Sequence, residues 1–406
     1  MPGSSLRETQ WLRARAEIFG AAFDSNWEVL SRQASRVFGK RNAAASLLPM
    51  VKADGYGHGA AWCVNRLVNL HERAGNRSAL AGFGVATLPE GVEVRRALGD
   101  RPTQGSKAGP LPVVVFSGTL PWSDECGEIC RSHALTPVIS SIEDWRRFFG
   151  GGWAARVPFE LKFNTGMNRL GIPLESLAEV RRGLAALALK GRFPSGIFSH
   201  LAIAEDPFSS LSRRQLQAFQ SIGSELGPLM PDSTRFHLGN SAALWRGEEW
   251  RLGEFTSRAR PGLSLYGIAP RDIPTRPLTP VLSVLAPIVA LQELRRGDRV
   301  GYGGRFVAPG TMKIAILGMG YADGLPRLWG SRKSEARARV GRQDHPWLGS
   351  VSMDLSAIRA PSNARVGGEA RILGPGVDIW AQADAARTIP YELLTSLSTR
   401  VQRKYV

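Results

Sequence analysis

Cysteine is scarce in this chain: Cys63, Cys126 and Cys130 are the only three in 406 residues. An odd, small set does not make a disulfide framework. No second Cys or His cluster stands near the Cys126/Cys130 pair to complete a zinc site, so no metal is expected. Unpaired thiols in a reducing compartment, the cytoplasm, are the expectation. Long apolar runs are also missing. None reaches the roughly 18 residues that a membrane span needs, and Met1-Pro2-Gly3-Ser4-Ser5-Leu6-Arg7 leads into mixed polar sequence without the apolar core of a secretory signal. Acidic residues are in deficit, 35 against 52 Lys and Arg, a formal net charge of +17. Such a surplus raises nucleic acid or a membrane surface as a partner. There is no arginine-rich arm, RNA-binding signature or zinc-finger spacing, so neither is expected. The charge reads as a solubilising surface with a modest pull on small anions. The densest basic tract, Arg332-Lys333-Ser334-Glu335-Ala336-Arg337-Ala338-Arg339, alternates as an exposed strand or hairpin would. No internal repeat is present, and 99–112 reads as a Gly/Pro/Ser/Lys surface loop.

What is present is globular: 43% hydrophobic and 21% charged residues, in a chain long enough for two domains. Over its first two-thirds, short apolar runs alternate with longer amphipathic, Ala/Leu/Arg-rich segments. Strands are expected at 46–51, 82–86, 113–117, 136–139, 159–163, 196–199, 235–238 and 259–263. Helix-like stretches lie between them, for example 60–74, 89–98, 142–149 and 174–188. Eight such alternations in about 250 residues predict an α/β fold, a TIM (β/α)8 barrel. Active sites of such barrels lie at the C-terminal ends of the strands. The residues found there are Lys52, Thr87, Asn164, His200, Asn240, Ser241, Arg260 and Gly262, which come from distant parts of the chain to one mouth. Beyond Ala269 the texture changes. Pro270, Pro274, Pro277 and Pro280 mark an irregular linker, followed by β-rich runs at 281–291, 313–317, 351–358 and 370–373. The expected division is a barrel over 14–272 and a mainly β C-terminal domain over 273–406.

Lys52 would ordinarily be a solvated strand end. It is followed by three glycines in five residues, Gly55-Tyr56-Gly57-His58-Gly59, a density that lets backbone approach a ligand closely. An amine desolvated at a barrel mouth loses its proton more easily and can form an imine with a carbonyl. Both readings stand on composition alone. The segment Val51-Lys52-Ala53-Asp54-Gly55-Tyr56-Gly57-His58-Gly59 resembles the pyridoxal 5′-phosphate attachment site of alanine racemases, which are fold-type III pyridoxal-phosphate enzymes. Six further blocks follow in family order over nearly the whole chain. They are Leu161-Lys162-Phe163-Asn164-Thr165-Gly166-Met167-Asn168-Arg169-Leu170-Gly171, Phe198-Ser199-His200, Asn240-Ser241-Ala242, Arg260-Pro261-Gly262, Gly320-Tyr321-Ala322-Asp323-Gly324 and Ser352-Met353-Asp354.

The resemblance implies an isomerase that interconverts L- and D-alanine and supplies D-alanine for peptidoglycan. It also implies a head-to-tail homodimer whose sites each combine one chain's barrel with the other's β domain. Lys52 resembles the Schiff-base lysine and one of two catalytic bases. Tyr302, in Val300-Gly301-Tyr302-Gly303, resembles the opposing base, given by the partner chain. A free tyrosine ionises only near pH of about 10, so it needs help, and His200 and Arg260 resemble the family's supporting pair. Arg260 also resembles the arginine that meets the cofactor's pyridine nitrogen. An arginine cannot readily give that nitrogen a proton, which leaves the ring a weaker electron sink than an aspartate would. Arg169 resembles the arginine that meets the substrate carboxylate, and Lys162 a lysine that is carbamylated in some members. Tyr56, Ser241 and the backbone at Gly262 and Leu263 resemble the phosphate cradle. Tyr321 and Met353 match residues of the substrate entrance, again from the partner chain. One departure stands out: where some members place a further phosphate-binding tyrosine near the C-terminus, this chain has Thr399. Asp54, His58, Asp323 and Asp354 read as structural. Racemases of other amino acids, such as serine or lysine, are the nearest rivals. The retained Lys162 and the 165–171 block favour alanine. A cofactor-carrying barrel without racemisation would lack the domain bearing Tyr302.

Overall fold

The computed structural model describes residues 13–39, 44–99, 110–331 and 334–406. The N-terminal heptapeptide, most of the 99–112 loop, and Arg332 and Lys333 of the basic tract lie outside the described residues. The chain forms two compact units. One comprises Asp24–Gly55 with Gly59–Leu278; the other gathers 13–23, Tyr56–His58 and Thr279–Val406.

The first unit is a parallel barrel. Strands Phe83–Val85, Val113–Val115, Thr136–Ile139, Glu160–Lys162, Gly196–Phe198, Arg235–Gly239 and Arg258–Ala259 pair side by side in chain order. Segment 46–51 closes the ring. Leu47 bridges in parallel to both Leu80 and Ala259, and Met50 to Gly84. Backbone hydrogen bonds run from Ala81 to Leu47 (2.7 Å), Leu48 to Ala259 (2.8 Å) and Met50 to Pro261 (2.9 Å). Seven of the eight expected strands are therefore present as one curled parallel sheet, while 46–51, expected as a strand, joins it only through isolated bridges at Leu47 and Met50. Helices follow because polar caps end the strands. The side chains of Thr87, Ser123, Ser141, Ser209 and Asn240 each accept a backbone N–H at the start of the next helix.

The strand expected at 259–263 is cut short after Ala259. Pro261 has no N–H for a ladder, and the N–H groups of Gly262 and Ser264 turn to the Ser241 hydroxyl instead. The barrel interior is divided by chemistry. Leu48, Val114, Val138 and Phe198 form an apolar cluster. The later strands instead bury Glu160, Lys162, His237, Arg258 and Arg260. Alternation along a strand puts Glu160 and Lys162 on one face, and likewise Arg258 and Arg260.

The second unit is mainly β. Its long strand Leu282–Leu294 pairs antiparallel with Arg15–Ile18, Met312–Leu317 and Glu369–Leu373. Met312–Leu317 pairs with Ser356–Arg359, and Arg15–Ile18 with Gln402–Tyr405. Arg337–Val340 and Gln343–Pro346 form a hairpin, which accounts for the alternation in the latter part of the basic tract. The β-rich unit thus includes 13–23 and Tyr56–His58 besides Thr279–Val406. The strand Arg15–Ile18 packs with the β-rich unit because its buried Ala16 and Ile18 lie opposite Val284 and Leu282.

Candidate active site

Lys52 opens a left-handed turn at the end of segment 46–51. Ala53, Asp54, Gly55 and Tyr56 have φ of 50°, 51°, 61° and 54°. For L-residues this conformation costs roughly 1–2 kcal/mol each, so the turn must be held from outside. Gly55 donates to the Val51 carbonyl (2.8 Å) and Gly59 to that of Asp54 (2.8 Å). The Asp54 carboxylate accepts the Ala60 N–H (2.8 Å). Glu90 supplies the remaining brace: one oxygen accepts Ala53 N–H (2.8 Å), the other those of Ala86 (2.7 Å) and Thr87 (3.1 Å). Sequence reasoning did not single out Glu90. Its signal was the capping box Thr87-x-x-Glu90. Burial, and then the charge of Arg169, pull the Lys52 amine below the usual lysine range, while Glu90 pulls the other way.

Three more cations share this mouth. Lys162 is buried, and its amine is pushed down to about 8 by burial first, then by Arg169, Arg260 and Lys52. Arg169 is exposed. Neither Lys162 nor Arg169 has an ion pair with a carboxylate among the described residues. Arg260 is buried and firmly held. It donates to the Ser199 carbonyl (2.8 Å), the Leu238 carbonyl (3.1 Å), His200 Nδ1 (3.2 Å) and His237 Nδ1 (2.5 Å), and lies 4.9 Å over the Phe198 ring. Burial lowers it to about 10, still a cation at neutral pH. His200 is driven well below its ordinary value by burial and then Arg260, so it is neutral. A guanidinium only donates, which makes His200 Nδ1 an acceptor and puts its proton on Nε2.

The Arg260 network extends to residues that sequence reasoning missed: His237, Glu160 and Arg258. Their signal was charge at alternate positions in strands otherwise apolar. Beside Arg260, the Ser241 hydroxyl accepts the N–H groups of Gly262 (2.9 Å) and Ser264 (3.3 Å). Ser241, Gly262 and Leu263 are all buried. Two N–H donors therefore converge on one hydroxyl.

In the β-rich unit, Tyr302, Tyr321 and Met353 lie on adjoining loops. Ser350 donates to the Tyr302 carbonyl (3.0 Å), Tyr321 N–H to that of Ser352 (2.9 Å) and Ala322 N–H to that of Met353 (3.0 Å). All three side chains are exposed, by 73%, 42% and 52%, an unusual density of large apolar groups on neighbouring loops. Arg400, not anticipated from sequence, clamps these loops by pairing with Asp323 (3.1 Å) and Asp354 (2.6 Å). Tyr56 is buried, 5.9 Å between ring centroids from Tyr391, and burial pushes its phenol above the ordinary range. Gly57, at φ 80°, lies against the Leu394 carbonyl so closely that a Cβ would stand 2.3 Å from it.

Cys126 and Cys130 share the helix Asp124–Ser132 as free thiols. Among the described residues no three His, Cys, Asp or Glu side chains group as a metal site. No helix there is long and apolar enough to cross a membrane.

The alanine racemase N-terminal domain matches residues 20–270, and the alanine racemase C-terminal domain matches 281–405. The chain belongs to the alanine racemase family. It is 37% identical to the alanine racemase of Cereibacter sphaeroides (strain ATCC 17029 / ATH 2.4.9) over 88% of this chain and 89% of that one. It is 34% identical to that of Methylobacterium sp. (strain 4-46) over 97% and 98%. Among solved structures, alanine racemase from Streptomyces coelicolor A3(2) superposes with a TM-score of 0.80 at 28% identity, covering 97% of this chain and 98% of that one. Alanine racemase from Bartonella henselae with covalently bound pyridoxal phosphate superposes at 0.79 and 25% identity, covering 97% and 99%. Membership in the alanine racemase family makes this chain an isomerase acting on an amino acid.

Proposed function

We propose that the chain interconverts L- and D-alanine in the cytoplasm, supplying D-alanine for peptidoglycan, with pyridoxal 5′-phosphate held on Lys52. The observation that carries this reading is the amine of Lys52, lowered by burial, in company with Lys162, Arg169 and Arg260. A mouth so rich in cations fits a cofactor that brings a phosphate and a substrate that brings a carboxylate. Ser241 and the N–H groups of Gly262 and Leu263, with Tyr56, are apt phosphate donors. Arg260 is suited to the pyridine nitrogen.

When bound, pyridoxal phosphate supplies an electron sink conjugated to the substrate α-carbon. The protein's own groups do the rest. Lys52 takes the α-proton on one face, and Tyr302 of a second copy returns one on the other. In this reading His200, with its proton on Nε2, donates towards that phenol's oxygen. Arg169 takes the substrate carboxylate in a planar fork. Tyr321 and Met353 of the second copy narrow the entrance. Their exposure in each chain supports a homodimer with shared sites. At neutral pH about a tenth of an amine with a pKa near that of Lys162 is unprotonated. We assign it as a site where the nitrogen attacks carbon dioxide and releases a proton, leaving a carbamate whose negative charge steadies Arg169.

Chiral analysis of products from L-alanine, L-serine and L-lysine tests the reading. D-alanine should dominate, and Lys52→Ala and Tyr302→Phe should each lower its formation by roughly 10²–10⁴-fold or more. D-alanine formation untouched by Lys52→Ala would overturn it. Faster turnover of L-serine or L-lysine would replace the substrate.

A further inference from the structure

We propose that Glu160 is a positioning residue for Arg260, acting through His237 from the floor of the barrel. The proposal rests on the reading of Arg260 as the group that meets the cofactor ring. Glu160 is on the strand Glu160–Lys162, His237 two strands away on Arg235–Gly239. The strand between them carries Gly196, paired with Glu160 on one side and Arg235 on the other. A Cβ at Gly196 would stand 2.7 Å from the Glu160 carboxylate carbon and 2.9 Å from His237 Nε2. The glycine is therefore what lets a carboxylate reach across one strand to an imidazole.

His237 Nε2 lies 3.1 Å from Glu160 Oε2, and the second oxygen, Oε1, accepts from Arg258 at 3.2 Å. Both Glu160 and His237 are shut off from solvent. The imidazole is stacked on Phe198, with centroids 4.7 Å apart and planes 13° from parallel, so it can turn little. Its Nδ1 faces Arg260 Nη1 at 2.5 Å.

Donor logic then fixes the protons. Arg260 can only donate, so His237 Nδ1 carries a lone pair; the carboxylate can only accept, so Nε2 carries the hydrogen. His237 is neutral in a single tautomer, and burial pushing it down to about 4 agrees. The row reads Glu160, His237, Arg260, His200, with Arg260 donating to an imidazole on each side. Without the carboxylate, only the Arg260 donor still selects between the two tautomers of His237, and the choice loses the support of an acceptor at Nε2. The Nδ1–H form would point a hydrogen at the guanidinium and displace it. An arginine displaced by a few tenths of an ångström loses its alignment with whatever lies above it.

Nitrogen NMR of the full-length, cofactor-free chain labelled in its imidazoles tests this, with His237→Gln assigning the resonance. Wild type should show His237 neutral with its proton on Nε2 from about pH 5 to pH 9. A protonated or Nδ1–H imidazole overturns the proposal without any variant. In Glu160→Gln, the single tautomer should give way to a mixture, and pyridoxal phosphate affinity should fall about tenfold. A variant that is merely less stable, with tautomer and affinity unchanged, also overturns it. Should Glu160→Gln not fold, Gly196→Ala keeps every charge and pushes the carboxylate off His237, and it is read the same way. A wild-type chain with the expected tautomer that takes up no pyridoxal phosphate would sink the functional reading and leave the hold of Glu160 on Arg260 standing.

Discussion

Lys162 illustrates how far a single residue could be read. Its place was legible because a lysine two positions before an asparagine-threonine-glycine turn closes an expected strand. Its condition was not legible, since that depends on Arg169, Arg260 and Lys52, which arrive from other strands. Folding lowers its pKa from 10.5 to about 8. Between those values the unfolded chain binds more protons than the folded one, so stability rises with pH across that window; below it the cost of the buried charge is constant. Urea denaturation of the cofactor-free chain in carbonate-free buffer should therefore show wild type gaining on Lys162→Met between about pH 8 and pH 10, by on the order of 2–3 kcal/mol. A flat difference would mean that the amine is not buried as a cation. Glu160 and His237 were missed for the opposite reason. Nothing in a local pattern tells that a carboxylate and an imidazole 77 positions apart will meet over a glycine.

The elements that set the site are a strand end, a turn and a helix start. The strands were legible from apolar runs and their spacing, the helix starts from capping residues. The left-handed turn after Lys52 was only half legible: glycines announce positive φ, whereas Ala53, Asp54 and Tyr56 adopt it under compulsion. Glu90 of the helix Leu88–Leu98 supplies part of that compulsion by taking three N–H groups. Removing the carboxylate in Glu90→Ala should cost roughly 1–3 kcal/mol in a denaturation curve. It should also lower the pH at which borohydride fixes pyridoxal phosphate to Lys52, because Glu90 is the group holding that amine up. Unchanged stability and an unchanged trapping profile would show that the turn is held without it. The end of the strand Arg258–Ala259 was drawn too long for a reason that Pro261 could have given: a residue without an N–H ends the ladder there.

At the scale of the whole molecule, the alternation of strands and helices and the change of texture near residue 270 carried the fold class. They did not carry the membership of Arg15–Ile18, because strand pairing ignores order along the chain. The larger consequence of two units is chemical. Lys52 lies in one and Tyr302 in the other, and the proposed site draws them from different copies. Chains carrying Lys52→Ala and chains carrying Tyr302→Ala should each be inactive alone. Unfolded, mixed in equal amounts and reassembled, they should recover roughly a quarter of wild-type racemisation of alanine. Half of the dimers are then mixed, and one of the two sites in each has both bases. Mixed dimers that form and remain as inactive as their parents would contradict a racemase built from Lys52 of one chain and Tyr302 of another.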